Sequence, residues 1–202
     1  MTKKVIVYID GENFLHRIED SLKKAKIIKK KEDILHFPVR VMLERIFQDL
    51  KIDEIRYYGT KIRTYDIKQK EVLEHANKMV ESQRRFKRNL TNHDIEFIVA
   101  GSLRVRENTC YHCKKTGMIF KEKGVDVRLA TDLISESSKD MVQIVVSSDS
   151  DLLPALKRSK VLKSRLIYLH HAEQPNYAMI KVSHESRVFT HNQIVKSYKE
   201  DK

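Results

Sequence analysis

Residues 144–154 read IVVSSDSDLLP and join an apolar run to a polar tip and an early proline. The run from Ile144 to Val146 is typical of a strand buried on both faces of a parallel sheet. Pro154 suits the first turn of a helix, because an N–H group there has no partner to lose. The stretch therefore predicts a central strand followed by a helix, with Asp149 and Asp151 at the carboxyl end of the strand. Ligands of open α/β sheets bind at that edge.

The stretch VIVYIDGENF, residues 5–14, has the same design: an apolar run ends in Asp10, and Asn13 follows where a helix can begin. Apolar runs and helical stripes alternate along the rest of the chain. The predicted strands cover residues 5–9, 54–59, 95–100, 142–146, 165–169 and 187–189. The predicted helices cover residues 14–22, a segment opened by Pro38, 66–90, 125–137 and a segment that ends near 161. This alternation is typical of βαβ units and predicts an α/β fold with a mainly parallel sheet.

Residues 102–123 depart from this alternation and predict a small projecting hairpin with TCYHCKKTG, residues 109–117, at its turn. A chain of 202 residues suits one domain with a real core. We therefore expect a single domain over residues 1–202. Its motif-bearing core lies at about 3–170, its hairpin insertion at 102–123 and its C-terminal extension at 171–202.

The charge of the chain indicates the class of its partner. Forty Lys and Arg against 28 Asp and Glu give a formal net charge of +12. Such an excess favours a partner that carries many phosphates, and we expect RNA. The alternative is that the basic charge only keeps the protein soluble. The candidate RNA contacts are Lys61, Arg63, Arg84, Arg85, Lys87, Arg88, Arg104, Arg106, Lys121 and Lys123; Tyr57 or Tyr58 could also stack on bases.

Cysteine use and hydropathy indicate the compartment. The chain has only two cysteines, and MTKK leads directly into a short apolar strand rather than a signal peptide. No apolar run approaches the roughly 18 residues of a membrane span. We expect a cytoplasmic protein with reduced thiols and no membrane partner, and a homodimer is left open.

Cys110, His112 and Cys113 supply three ligands of the kind that zinc prefers. A closed structural zinc site needs four ligands. His75, His93 or a second protomer would have to complete it. The alternative is a reduced turn at the tip of the hairpin.

Right-handed crossovers place strand carboxyl ends and the following helix N-termini at one edge of a sheet. That edge would collect Asp10, Asn13, Asp126, Asp149 and Asp151. A set of oxygen ligands favours Mg²⁺ or Mn²⁺ over zinc. Such ions can activate water and stabilise the leaving oxygen in phosphodiester cleavage. An acidic metal pocket in a basic chain is the charge layout of a nuclease.

Each acid also has a structural interpretation. Asp10 or Asn13 could cap the first helix, and Asp151 could cap the helix that follows it. Asp126 would be stabilised by the helix dipole alone. Asp149 has the least obvious structural role. Asp132 lies roughly 240° around the helix from Asp126, so we expect it to be structural or to act through another residue.

Three motifs carry a family resemblance: DGEN, KGVDVRLATDLI and SSDSDLLPAL, in this order, each at a strand end or helix start. Together they resemble the LabA-like branch of the NYN domain family, in the PIN-like nuclease superfamily, over roughly residues 3–170. The resemblance implies a three-layer α/β/α sandwich and metal-dependent ribonuclease activity. It also implies a CxxC-bearing hairpin before KGVD. Carried over, the metal site would be Asp10, Asp126, Asp149 and Asp151, with Asn13 beside it.

Other function classes fit less well. The chain has neither the GxGxxG of a dinucleotide-binding fold nor the GKS or GKT of a P-loop. The DSD of residues 149–151 follows a late strand, unlike the DxD of haloacid-dehalogenase-type phosphatases. We therefore expect a metal-dependent ribonuclease, most simply an endoribonuclease. A non-catalytic RNA-binding or regulatory module and another phosphoryl-transfer enzyme remain the alternatives.

Overall fold

The computed structural model describes residues 3–65 and 67–200. Its strands form one sheet in the order β4-β3-β2-β1-β5-β6-β7. Neighbouring strands pair in parallel, except for the antiparallel pair β3 and β4. The strands are β1 (Lys4–Asp10), β2 (Glu54–Ile62), β3 (Ile95–Thr109), β4 (Thr116–Lys123), β5 (Met141–Val146), β6 (Arg165–His171) and β7 (Glu185–Phe189).

Helices cover both faces of the sheet. They are α1 (Gly11–Lys24), α2 (Val39–Ile46), α3 (Lys70–Asn92), α4 (Val125–Ser135), α5 (Leu153–Val161), α6 (Tyr177–Val182) and α7 (His191–Glu200). Buried side chains of α1, α2, α3 and α7 share one core cluster, and those of α4, α5 and α6 share the other. The predicted three-layer α/β/α sandwich with a mainly parallel sheet and a projecting hairpin is therefore confirmed.

Strand β1 shows how the sequence produces these layers. Alternate side chains point to opposite faces of a strand. Val7 and Ile9 accordingly lie in one core, and Ile6 and Tyr8 lie in the other. The order of the strands reverses beside β1, because β2 pairs with one side of it and β5 with the other. This junction is a topological switch point, where open α/β sheets form a crevice.

Several predicted bounds differ from the structure. The strand at 95–100 and the first arm of the hairpin are one continuous strand, β3, which pairs first with β2 and then with β4. The predicted helix start, Asp66, lies outside the described residues, and α3 begins at Lys70. The polar residue on the stripe of α3 has a structural reason, since Gln83 Nε2 donates to the Thr60 carbonyl at 2.7 Å.

The segment after residue 170 completes both the sheet and the core. Strand β7 pairs in parallel with β6, and Phe189, Ile194 and Tyr198 are buried. The sequence analysis missed α6 and α7, although the spacing of Ile194 and Tyr198 suits one face of a helix. Among the described residues, no helix is long and apolar enough to cross a membrane.

Candidate active site

The tips of β1 and β5 meet at the switch point of the sheet. Ile9 is in register with Val146, so Asp10 and Ser147 follow side by side. Ser147 Oγ donates to Asp10 Oδ2 at 2.8 Å. Ser148 Oγ donates to Asn13 Oδ1 at 2.6 Å. The two serines before the DSD stretch therefore position Asp10 and Asn13, a role that the sequence analysis did not assign.

Asp10 has both a structural and a chemical character. It is the N-cap of α1 and accepts from the Asn13 N–H at 3.4 Å, while Asn13 Nδ2 donates to its Oδ2 at 2.5 Å. Its carboxyl is largely buried. Burial raises its pKa, and hydrogen bonds from Ser147 and Asn13 oppose that rise. A cation next to this carboxylate would favour its charged form. The hydrogen bonds from Ser147 and Asn13 hold the carboxylate in a fixed orientation for such a cation.

Gly11 in the DGEN motif is required by a close approach. A β-carbon at this position would collide with the ring of Tyr57 and the carbonyl of Tyr58. The Tyr57 hydroxyl donates to the Gly11 carbonyl at 2.7 Å. Both tyrosines are buried in the sheet, so neither is placed to stack on RNA bases.

An open cleft of about 700 Å³ lies in front of Asp10. Its carboxyl groups come from two sides: β1, the start of α1 and the loop after β5 supply one side, and β4 and α4 supply the other. Lys123 and Arg17 add positive charge at its lining, and His16 lies there as well. The five acids of the cleft are Asp10, Glu12, Glu122, Asp126 and Asp149.

Asp126 reaches the cleft through a tight turn between β4 and α4. Gly124 adopts a φ of +96° at the N-cap of α4, a backbone conformation that glycine adopts without strain. Asp126 follows in the first turn and is exposed. The KGVD stretch thus brings an acid from the hairpin side of the sheet to the same cleft as Asp10.

Glu12 and Glu122 were not among the predicted site residues. The two carboxyl groups are hydrogen-bonded to each other, and Glu122 is half-buried. Burial, this hydrogen bond and the charges of Glu12, Asp10 and Asp126 raise the pKa of Glu122 to about 8. The Glu122 carboxyl therefore keeps its proton near neutral pH, because burial and nearby like charges disfavour its ionised form. A divalent cation would relieve the same repulsion.

The donor set fits a hard cation that keeps part of its water shell. Among the described residues, no three of the cleft acids have carboxylate oxygens that all lie within 4.8 Å of one another. One ion therefore cannot bind three of these acids directly in this arrangement. Magnesium is usually held by one or two carboxylates and keeps several waters, so the spacing fits a water-bridged site.

Asp149 lines the cleft but has a clear structural role as well. Its Oδ1 caps a short 3₁₀ turn at Ser150–Leu152 by accepting from the Asp151 N–H at 2.9 Å. Its own N–H donates to Ser147 Oγ at 3.0 Å. Its other carboxylate oxygen, Oδ2, has no hydrogen-bond partner among the described residues and can face the cleft.

Two other acids lie apart from the cleft. Asp151 is exposed in the 3₁₀ turn and is not among the residues that line the cleft. Asp132 accepts from the Tyr58 hydroxyl at 3.1 Å and pairs with Arg128 at 2.9 Å. The placement of Asp132 agrees with the structural role expected for it.

The hairpin presents one cationic face beside the cleft. Arg104 is in register with Lys121, and Ser102 with both Lys123 and Lys61. Residues in register share a face of the sheet. We call this surface the cationic hairpin face: Lys61, Arg104, Arg106, Lys121 and Lys123. Arg63 joins Arg104 and Arg106 around a hollow of about 220 Å³, and Lys123 also lines the acidic cleft.

The other predicted RNA contacts lie elsewhere. Arg84, Arg85, Lys87 and Arg88 are exposed near the end of α3, and none of them is among the described residues that line the cleft. Arg85 pairs with Glu81 at 3.2 Å. Lys87 Nζ lies 5.5 Å from the ring centre of Phe97.

The tip of the hairpin is a tight turn with free thiols. The Lys114 N–H donates to the Cys110 carbonyl at 2.9 Å. Hydrogen bonds from the backbone and the thiol of Cys113 lower the pKa of the Cys110 thiol. Among the described residues, Cys110, His112 and Cys113 do not bring three ligand atoms within 4.8 Å of one another. His75 instead packs on Phe120, and His93 contacts the Asn89 carbonyl.

Comparisons with known proteins agree with this fold. The family model of the NYN domain matches residues 4–187. A crystal structure of a protein of unknown function from Vibrio parahaemolyticus has the same fold, with a TM-score of 0.53 and 12% sequence identity. That match covers 93% of this chain and 93% of the other; at this identity it shows the fold alone. No curated protein matches the chain at a significant level.

Proposed function

The chain belongs to the NYN domain family, which is generally nuclease-like, and from this premise we propose that it is a metal-dependent ribonuclease. The observation that carries the proposal is the meeting of an acidic cleft and a cationic face. Lys123 lines the cleft and also belongs to the cationic hairpin face. An RNA backbone held on that face would lead directly to the carboxylates. We expect internal cleavage, because the cleft is open rather than a closed pocket for a chain end.

Asp10, Asp126 and Asp149 would hold Mg²⁺ or Mn²⁺, directly or through water. The ion would supply a more acidic bound water and charge stabilisation at the phosphate. Ser147 orients Asp10, and Ser148 orients Asn13. Asn13 Nδ2 is engaged with Asp10, so Asn13 acts mainly by positioning that carboxylate.

Glu12 at the start of α1 and Glu122 on β4 would act as oxygen acceptors across the cleft from each other. The proton that Glu122 keeps makes the hairpin side less negative when no cation is bound. Asp151 is a candidate from the family resemblance alone, because it is not among the residues that line the cleft. Any part it plays as a ligand requires the 3₁₀ turn at residues 150–152 to rearrange.

The direct test is cleavage of single-stranded and structured RNA in Mg²⁺ or Mn²⁺ by the wild type and by Asp149→Asn. Asparagine keeps an oxygen that can accept from the Asp151 N–H, so the cap survives while the charge is lost. Asp140→Asn is the matched control, since the Asp140 carbonyl accepts from the Lys4 N–H at the opposite edge of the sheet. We expect cleavage by the wild type and Asp140→Asn and not by Asp149→Asn. Equal cleavage by all three proteins would point to a contaminant.

A non-catalytic RNA-binding module is the second candidate. It is favoured by one observation: no three of the cleft acids among the described residues have carboxylate oxygens that all lie within 4.8 Å of one another. This alternative predicts tight, salt-sensitive RNA binding without cleavage in either metal, and no effect of Asp149→Asn on affinity. A cytoplasmic location, membership of the LabA-like branch and a homodimer remain predictions.

A further inference from the structure

A second group of metal-ligating side chains lies outside the acidic cleft. His171 ends β6, Glu173 follows in the next turn, and His191 begins α7. One donor atom from each residue lies within 4.8 Å of the other two. We propose that these three side chains form a binding site for a divalent transition metal, with Zn²⁺ as the best fit.

The state of His191 is set by its neighbours. Ser21 Oγ donates to the Arg17 carbonyl at 2.8 Å. The hydroxyl therefore accepts from His191 Nδ1, which lies 2.7 Å away. This contact places a proton on Nδ1 and directs Nε2 to Glu173 Oε1 at 2.7 Å. Metal-binding histidines usually have this arrangement, with one ring nitrogen donating to an oxygen and the other facing the ion.

His171 supplies an unpartnered nitrogen. The residue is 5% exposed, and its Nε2 is buried without a hydrogen-bond partner among the described residues. Burial also lowers the pKa of this imidazole, which keeps the ring neutral and able to bind a metal. Its Nδ1 accepts from the Glu173 N–H at 3.2 Å. The proton of the neutral ring is therefore on Nε2, and metal binding through Nδ1 would give up only this one long hydrogen bond.

Without a metal, the Glu173 carboxylate contacts the side chains of Lys24 and His191. Its Oε2 accepts from Lys24 Nζ at 2.9 Å, and its Oε1 faces His191. Hydrogen bonds from Lys24 and His191 lower the pKa of Glu173 to about 2, so the carboxylate is charged at any neutral pH. Lys24 is exposed and can turn into solvent. A metal ion would then bind between His191 Nε2 and Glu173 Oε1, in place of the hydrogen bond that joins them.

The ligand set separates this site from the acidic cleft. Two imidazoles and one carboxylate suit zinc, cobalt or nickel, with water in the open position. Carboxylates and water alone suit magnesium. The two sites should therefore bind different ions in the same protein.

The location indicates what the metal would do. The ligands join the end of β6 to the start of α7, and Ser21 links them to α1. A narrow pocket beside them is lined by His171, Arg17, Asn13 and Ser148. A metal at this site would tie the start of α7 to the end of β6, close to the residues that orient Asp10. We infer a structural clamp rather than a second reaction centre.

The test measures metal uptake in a Cys110→Ser/Cys113→Ser background, which removes the thiols at the hairpin tip. Calorimetric titration with Zn²⁺ and the visible spectrum of bound Co²⁺ report stoichiometry and ligand type. We expect one equivalent of Zn²⁺, a higher melting temperature, and no competition from excess Mg²⁺.

Glu173→Gln and His191→Ala should each weaken Zn²⁺ binding by at least about tenfold, the size of effect seen when the surroundings of a metal site are lost. Glu173→Gln keeps a hydrogen-bond acceptor for Lys24 and His191, so its fold should survive. His36→Ala, an exposed histidine elsewhere, and Asp149→Asn should bind Zn²⁺ like the parent.

No uptake by the parent, or equal uptake by Glu173→Gln and His191→Ala, would overturn the proposal. Because the measurement is binding rather than RNA cleavage, its outcome is independent of the proposed nuclease activity.

Discussion

The two walls of the acidic cleft are built in different ways. One wall lies at the tips of β1 and β5, and we call it the sheet wall. There Asp10 is buried, and the side chains of Ser147 and Asn13 hold it with hydrogen bonds of 2.8 Å or less. The other wall, which we call the hairpin wall, carries Glu122 from the edge strand β4 and Asp126 from the start of α4. Asp126 is exposed. The sheet wall is preorganised by the centre of the fold, whereas the hairpin wall depends on the raised pKa of Glu122 and on a projecting arm.

This difference suggests a division of labour. A rigid carboxylate with fixed neighbours defines where a cation binds, because its orientation costs nothing at the moment of binding. A wall that carries a proton near neutral pH adjusts its charge to the ion and the substrate. The difference can be tested one wall at a time.

The largest effect is expected on the sheet wall, from Asp10→Asn. Loss of this buried charge should lower RNA cleavage on the order of 10²–10³-fold, as when an electrostatic group is removed from a catalytic site. Because burial raises the pKa of Asp10, loss of the charge alone should cost little stability. The amide keeps only one of the two acceptor oxygens, so we expect a modest loss of stability from the weakened cap. Single-turnover cleavage and thermal unfolding measure the two effects on the same protein.

Asp132→Asn is the control, since Asp132 pairs with Arg128 away from the cleft. It should leave the cleavage rate within a few-fold of the wild type. If Asp10→Asn cleaves RNA normally, the sheet wall has no catalytic role and the contrast between the walls fails.

The sheet wall was the predictable part of the site. Hydrophobic runs that end in Asp10 and in residues 147–149 indicate parallel strands, and parallel strands fix which ends meet. The hydrogen bonds of Ser147 and Ser148 were not predictable, because small polar residues at a strand tip serve many turns equally well.

The hairpin wall was only partly predictable. Asp126 is predictable from a motif at a helix start. The position of Glu122 depends on the register of β3 with β4. The hydrophobic pattern sets that register only weakly, because neither face of β4 is fully buried. His171 and His191 likewise come together only because β7 lies between them in the chain and pairs with β6.

An intermediate effect is expected on the hairpin wall, in the dependence of stability on pH. The pKa of Glu122 is raised from 4.5 to about 8, so the folded protein keeps a proton that the unfolded chain loses across this range. The free energy of unfolding should therefore fall as the pH rises from about 4.5 to 8. Since Glu122 is half-buried and solvent screens its charge, we expect a contribution of about 1–2 kcal/mol.

Glu122→Gln should remove that part of the pH dependence, because glutamine keeps the hydrogen bond to Glu12 without the second ionisation. Urea unfolding of both proteins at a series of pH values measures the difference. An unchanged pH profile in Glu122→Gln would mean that Glu122 does not keep its proton near neutral pH, and the hairpin wall would then be no more adaptable than the sheet wall.

The smallest effect is expected at the outer end of the hairpin wall, where the cationic hairpin face meets solvent. Arg104→Glu with Lys121→Glu should weaken RNA binding several-fold at moderate salt. The slope of log affinity against log salt should fall by about 0.7 for each lost phosphate contact on single-stranded RNA. Arg84→Glu with Arg88→Glu makes the same charge change on α3, away from the cleft, and should alter the slope less. Equal slopes for the two pairs would show that RNA binding follows the net charge of +12 rather than the hairpin, and the arm would then serve the cleft only by carrying Glu122 to it.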